Sequence, residues 1–149
     1  MKRLLVLIVV LTSTACSGDD AGDDAGPPAD GPTTADLTIT IEHPDAATIE
    51  YRVTCADGTA TITGLDGLSA EAACARLAIP EVQERLISPP LPGDRVCTEI
   101  YGGPDTARFE GTLDGEPVDT VIDRTDGCGI SDWDMVLADV LPPALGVTD

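Results

Sequence analysis

Polar and apolar residues alternate along two neighbouring stretches, 37–42 and 49–55, which a turn sequence at 43–45 separates. Every second residue in each stretch is apolar, and the residues between are threonine or charged. A period of two is typical of strands that bury one face and expose the other. The pattern therefore predicts two half-buried antiparallel strands.

A second pair of strands is predicted around the dipeptide Asp-Gly at 114–115. Alternation runs through 107–113 before the dipeptide and through 118–122 after it, which is typical of a β-hairpin. A two-residue turn would place Glu110 opposite Asp119. Because facing like charges destabilise a sheet, a longer loop or a bulge is the alternative.

Two helices are predicted in the middle of the chain. Ser69 precedes an alanine-rich segment and is a residue type that caps helices. The predicted inner face of this helix consists of Ala70, Ala73, Cys74, Leu77 and Ala78. Pro80 fits the first turn of a second short helix that carries Val82 and Leu86. The proline-rich segment 88–93 cannot be helical, so it is expected to run extended towards Cys97.

A C-terminal helix is predicted from a capping box and from apolar spacing. Ser131 and Asp134 resemble the capping box. Apolar residues then recur at helical spacing up to Pro142, namely Trp133, Val136, Leu137, Val140 and Leu141. Strands with helices segregated between them indicate an α+β fold.

The composition excludes several classes of function. The chain has 27 acidic against 8 basic residues and a formal charge of -19, so it repels nucleic acids and anionic lipid surfaces. His43, the only histidine, lies before a proline in a turn, and the only lysine is Lys2. Carboxylates are too numerous for any pair to stand out as acid and base. We therefore expect neither an enzyme nor a bound cofactor.

The N-terminus is typical of an export signal. Lys2 and Arg3 precede the apolar run 4–11, and small residues lead up to Cys16. The sequence before Cys16 resembles the lipobox of bacterial lipoproteins, which predicts cleavage after residue 15 and lipidation of Cys16. The alternative is a freely secreted protein in which Cys16 is unmodified. Both predictions place the mature chain outside the cytoplasm. If Cys16 is lipidated, the lipid alone anchors the chain to the cell membrane.

The rest of the chain divides into three parts. The region 16–35 combines the lipidated cysteine with an acidic stretch rich in Gly and Pro, which predicts a disordered linker. The folded domain is expected at 36–143, and 144–149 is expected to be a short tail. The pattern leaves the structure of 56–68 open.

Four cysteines remain once Cys16 is set aside, namely Cys55, Cys74, Cys97 and Cys128. In an exported chain they predict two disulfides, for which three pairings are open. A zinc site is disfavoured because no two of these cysteines have the spacing of zinc ligands and His43 is far away. We expect no metal.

The segment that follows Cys97 carries a resemblance to a known family. It has the sequence Cys-Thr-Glu-Ile-Tyr-Gly-Gly-Pro and is followed by a strand, Gly111, the Asp-Gly turn, Val118, Arg124 and Cys128. This order, together with Cys55 and Cys74 upstream, resembles the subtilisin inhibitor-like (SSI-like) family over most of 37–133. The resemblance implies a five-stranded antiparallel sheet with two helices on one face, disulfides 55–74 and 97–128, and often a homodimer.

The resemblance also implies a function and its residues. Inhibitors of this family block extracellular serine proteases with a substrate-like loop that follows the third cysteine. In this chain that loop is Cys97, Thr98, Glu99, Ile100 and Tyr101, and the reactive bond is the one between Glu99 and Ile100. Glu99 would be P1, the residue whose side chain enters the specificity pocket of the protease. Glutamate suits neither a hydrophobic pocket nor an Asp-lined one, so the alternative is a noninhibitory cell-envelope lipoprotein that uses the same fold for binding or structure.

Overall fold

The alternating segments form one antiparallel sheet in a computed structural model that describes residues 32–142. Five strands pair in the order β3-β2-β1-β4-β5. They are β1 (Ala35–Glu42), β2 (Ile49–Ala56), β3 (Thr59–Thr63), β4 (Thr106–Leu113) and β5 (Glu116–Asp123). The helices are α1 (Ala70–Leu77), α2 (Pro80–Ile87) and α3 (Gly127–Leu137). The α+β class and the five-stranded antiparallel sheet are therefore confirmed, with three helices where the resemblance implies two. Cys16, the signal segment and the tail 144–149 lie outside the described residues.

The hairpin between β4 and β5 has the two-residue turn. Asp114 and Gly115 both have positive φ, 50° and 84°, the conformation of the turn type that suits hairpins. Glu110 does face Asp119. Arg108 on the same face compensates, because its guanidinium lies 2.6 Å from the Asp119 carboxylate and 3.4 Å from that of Glu110. A neighbouring cation therefore relieves the repulsion that had favoured a longer loop.

Strand β3 lies in the segment whose structure the pattern left open. It pairs with β2 through a second Asp-Gly turn, in which Asp57 and Gly58 have φ of 51° and 73°. Ala60 and Ile62 alternate with threonines, but only five residues take part in the strand. The Asp-Gly dipeptide was the sequence signal for this hairpin. The strand was missed because the alternation after the dipeptide is only five residues long.

Helix α3 begins earlier than predicted, so the capping box at Ser131 was wrong. Asp126 is the cap, because its carboxylate accepts a hydrogen bond from the Gly129 amide at 2.7 Å. The first turn contains Gly127 and Gly129, which are poor helix formers. Both pack too closely for a side chain: a Cβ on Gly127 would lie 2.0 Å from the Thr98 hydroxyl, and one on Gly129 would lie 2.7 Å from the Asp123 carbonyl. Close packing thus explains why two poor helix formers lie in the first turn of α3. Their presence is the reason that the sequence predicted a later start.

The helices cover one face of the sheet and form a single core with it. Leu37, Ile39, Tyr51 and Phe109 from the strands are among its largest buried side chains. Disulfides join Cys55 to Cys74 and Cys97 to Cys128, which is the pairing that the resemblance implies. Among residues 32–142, no helix has the length and apolar character needed to cross a membrane.

The Tyr51 hydroxyl ties β2 to the turn that follows α3. It donates a hydrogen bond to the Val140 carbonyl inside the core, and burial raises the pKa of this phenol well above its usual value. We expect Tyr51→Phe to lower the free energy of unfolding by about 1–2 kcal/mol, because it leaves a buried carbonyl without its donor. Urea denaturation measures the change. Tyr101→Phe is the matched control, since Tyr101 is 64% exposed; equal stability of the two variants would contradict this role.

Candidate functional site

Large exposed apolar side chains are concentrated on one segment of the described chain. Five such residues exist within 32–142, and four of them lie between 91 and 101. They are Leu91, Val96, Ile100 and Tyr101, and the fifth is Val121 on β5. An exposed apolar surface often binds another protein, and these four residues are close together in the sequence. The connection between α2 and β4 is therefore the candidate functional site.

This connection has no helix or strand from 88 to 105. Its prolines prevent continuation of α2, and a turn closes by a hydrogen bond from the Asp94 amide to the Leu91 carbonyl at 3.1 Å. The Asp94 carboxylate accepts from the Leu91 amide at 3.1 Å in return. The segment thus reverses once, at 91–94, before it reaches Cys97.

The stretch Cys97–Gly102 is fixed at both ends. The disulfide to Cys128 ties its start to α3. The Thr98 carbonyl accepts a hydrogen bond from the Gly127 amide at 2.9 Å, and the Gly102 amide donates to the Arg124 carbonyl at 2.8 Å. Residues 98–102 therefore run alongside 124–127 in the opposite direction.

The residues between these two hydrogen bonds form the exposed part of this stretch. Glu99, Ile100 and Tyr101 make no hydrogen bond to any other part of 32–142, and all three are exposed. Ile100 is 62% exposed and Tyr101 is 64% exposed. We call Thr98, Glu99, Ile100 and Tyr101 the exposed loop. The geometry presents a short piece of backbone, with its side chains, to a partner.

Close packing fixes the floor beneath the exposed loop. Thr98 packs directly on Gly127, and Gly102 lies so close to Ile130 that an added Cβ would be 2.7 Å from that side chain. The Arg124 guanidinium lies 5.6 Å from the centre of the Trp133 ring. Both ends of the loop therefore rest on the segment that joins β5 to α3 and on the first turns of that helix.

An ion cluster around a buried carboxylate fixes the approach to Cys97. Asp132 on α3 is only 4% exposed. Its carboxylate accepts hydrogen bonds from Arg85 on α2 at 2.6 Å and from Arg95 at 2.6 and 2.8 Å. Burial alone would raise the pKa of Asp132, but the hydrogen bonds from Arg95 and Arg85 outweigh it and hold this pKa below its ordinary value. The cluster ties α2, α3 and the residue two before Cys97 together.

Of the five residues predicted from the resemblance, Cys97 is half-buried in its disulfide and Thr98 to Tyr101 are exposed. The supporting roles of Asp132 and Arg95 were not found from the sequence, and Arg124 was noted there only as one of the residues that carry the resemblance. One signal existed for Asp132, since it precedes Val136 by four residues and so falls on the apolar face of the C-terminal helix. Nothing local marks which arginines would reach it.

Three potential metal-ligand side chains also meet here. Atoms of Cys97, Asp126 and Cys128 lie within 4.8 Å of one another. Both sulfurs belong to the disulfide, so neither is a thiolate, the form in which cysteine binds metals. Asp126 is already the cap of α3. This cluster is explained by the structure of the loop base.

Comparison of the chain with protein-family models, with curated proteins and with solved structures gave no match. The resemblance to SSI-like inhibitors therefore rests on the cysteine order and on the residues around the exposed loop.

We expect Asp132→Asn to destabilise the domain by about 3 kcal/mol at pH 7, because it leaves two arginines without their buried carboxylate. The folded-state pKa of Asp132 is lowered, so its stabilisation is complete above the unfolded-state pKa of about 3.9 and is lost as the pH falls through the folded-state value. Chemical denaturation at pH 7 and pH 3 should show the difference from wild type shrinking in acid.

Asp139→Asn is the matched control, because Asp139 pairs with Arg76 but its side chain is 44% exposed. Its effect should stay below about 1 kcal/mol. An equally small effect of Asp132→Asn, or one independent of pH, would contradict the role given to the cluster.

Proposed function

We propose that this protein is an SSI-like inhibitor of an extracytoplasmic serine protease, and that the Glu99–Ile100 bond occupies the cleavage position of the protease. One observation carries the proposal: the exposed loop is held at both ends, and Glu99, Ile100 and Tyr101 between them are free to contact a partner. Leu91 and Val96, earlier in the same connection, are exposed apolar residues as well.

The chemistry is that of a substrate that leaves slowly. The protease serine oxygen attacks the carbonyl carbon of Glu99, the C–N bond to Ile100 breaks, and the Ile100 nitrogen takes up a proton as an amine. The acyl group stays on the serine. Because the reverse attack by the Ile100 amine re-forms the peptide bond and frees the serine, the balance between religation and hydrolysis decides whether the chain inhibits or is consumed.

The anchoring of the loop favours religation and tight binding. Cys97, two residues before Glu99, is covalently tied to α3, and Gly102, two residues after Ile100, is hydrogen-bonded to the domain. A loop already fixed at both ends loses little entropy on binding, and a held amine has a high effective concentration near the acyl carbonyl.

Glu99 defines the class of protease. Its side chain is exposed in the free protein. Burial of the charged carboxylate in an apolar pocket would cost several kcal/mol, and an acidic pocket would repel it. A pocket with cationic or hydrogen-bond-donating groups would compensate for its lost hydration. We therefore propose a serine protease that cleaves after glutamate as the target.

The location follows from the N-terminus. We propose that residues 1–15 direct export, that Cys16 carries the lipid, and that 16–35 spaces the domain from the membrane. The two disulfides support a location outside the reducing cytoplasm. Intact mass after detergent extraction tests this, since a mature chain without added lipid would contradict the anchor.

A protease panel tests inhibition. We expect the purified protein to inhibit a glutamate-specific serine protease at nanomolar concentration, as protease inhibitors commonly do, and to leave subtilisin-like and trypsin-like enzymes active. Ile100→Pro should abolish inhibition without changing the melting temperature. Rapid digestion, or indifference across the panel, would contradict the proposal and favour the noninhibitory lipoprotein.

Exchange of the P1 residue tests the role of Glu99 directly. We expect Glu99→Leu to lose the glutamate-specific enzyme and to gain inhibition of subtilisin-like proteases, because the apolar side chain no longer requires a charged partner. Glu81→Leu, an exposed glutamate on α2, is the matched control and should keep the wild-type profile. An unchanged profile for Glu99→Leu would show that this residue does not enter the specificity pocket.

A further inference from the structure

Arg124 connects the far end of the exposed loop to the core through its backbone and its side chain. Its carbonyl accepts the hydrogen bond from the Gly102 amide at 2.8 Å. Its guanidinium stacks near the Trp133 ring, 5.6 Å from the centroid, and lies 3.3 Å from the Asp105 carboxylate. One residue thus holds the backbone of the loop while its own side chain is held by a buried aromatic ring and an anion.

These contacts are protected from solvent. The Arg124 side chain is 16% exposed and that of Asp105 is 21% exposed, so salt screens this pair less than a surface ion pair. The pair lies directly against Gly103, where an added Cβ would be 3.2 Å from the Asp105 carboxylate and 3.7 Å from the guanidinium. Gly103 therefore lets the backbone pass close over the ion pair.

The two arms of the loop are held by different means. The arm that ends at Glu99 is tied covalently through the Cys97–Cys128 disulfide. The arm that begins at Ile100 is attached near the reactive bond by the hydrogen bond of Gly102 to Arg124. If the Glu99–Ile100 bond is cut, the position of the new Ile100 amine therefore depends on how firmly Arg124 is held.

We infer that Arg124 is a positioning residue that keeps the Ile100 arm in place before and after cleavage. Its consequence for inhibition rests on the proposed function. Its effect on the order of the arm does not, so the two can be tested separately. The Trp133 ring and Asp105 act through it, because they fix the guanidinium that orients the Arg124 backbone.

Hydrogen exchange tests the order of the arm in the free protein. Arg124→Lys keeps the charge but loses the planar group that lies over the Trp133 ring. We expect the Gly102 amide, which donates to the Arg124 carbonyl, to exchange about tenfold faster in this variant, equivalent to about 1.4 kcal/mol of easier local opening. Arg76→Lys is the matched control, because Arg76 pairs with Asp139 and its side chain is 24% exposed; the Gly102 amide should exchange at the wild-type rate there.

Kinetics with a protease that the wild type inhibits test the consequence. Arg124→Lys should shorten the lifetime of the complex about tenfold and speed the accumulation of chain cut at Glu99–Ile100, whereas Arg76→Lys should do neither. If Arg124→Lys does not fold, Asp105→Asn replaces it, with Asp139→Asn as its control and the same direction expected.

The outcomes separate the two claims. Unchanged exchange at Gly102 would overturn the positioning role whatever the protease does. Faster exchange with an unchanged complex lifetime would overturn the role in inhibition. If the wild type inhibits no protease, the proposed function fails, and the exchange rates alone still decide whether Arg124 orders the arm.

Discussion

A disulfide and two main-chain hydrogen bonds fix the backbone on both sides of Glu99 and Ile100 to the segment between β5 and α3. The rest of the described structure supports this attachment. Strand β5 of the hairpin ends at Asp123, so Arg124 lies directly after the sheet, beside the loop. The cap at Asp126 then begins α3. Since the loop carries no regular structure of its own, its conformation depends on the rigidity of this segment.

Rigidity here comes from burial below the loop and from charge pairs at its sides. Trp133 is buried under Arg124. Asp132, the residue before Trp133 on α3, accepts hydrogen bonds from Arg85 and Arg95. A buried ion pair is often a weak source of net stability. Its value here is geometric, because it fixes the direction from which the chain enters Cys97.

Local patterns predicted the parts of this fold that depend on local rules. Alternation over 37–42 and 107–113 identified strands because their side chains face one core, and the turn at 114–115 fixed a hairpin. Local patterns failed to predict the structure where tertiary packing overrides the local rule. The start of α3 was missed because Gly127 and Gly129 are poor helix formers. Glycine is needed at both positions because they pack against Thr98 and Asp123, and the local pattern does not show these contacts.

The candidate site divides in the same way. The loop residues were expected from the resemblance, which depends on the cysteine order and on the sequence around Glu99; the structure shows that residues 98–101 are exposed, and their function stays a prediction. The residues that hold the loop could not be predicted, since Arg95 and Asp132 are 37 positions apart and one acidic residue among 27 carries no local mark. Their partners are defined only once α2 and α3 have packed on the sheet.

Re-formation of the Glu99–Ile100 bond tests the central claim most directly. Purified protein cut at this bond would be incubated with a catalytic amount of the glutamate-specific protease and followed by intact mass under non-reducing and reducing conditions. The account predicts that uncut chain reappears and that the same ratio of cut to uncut protein is reached from either direction. A chain that stays fully cut would contradict it, because the held Ile100 amine would then not compete with water.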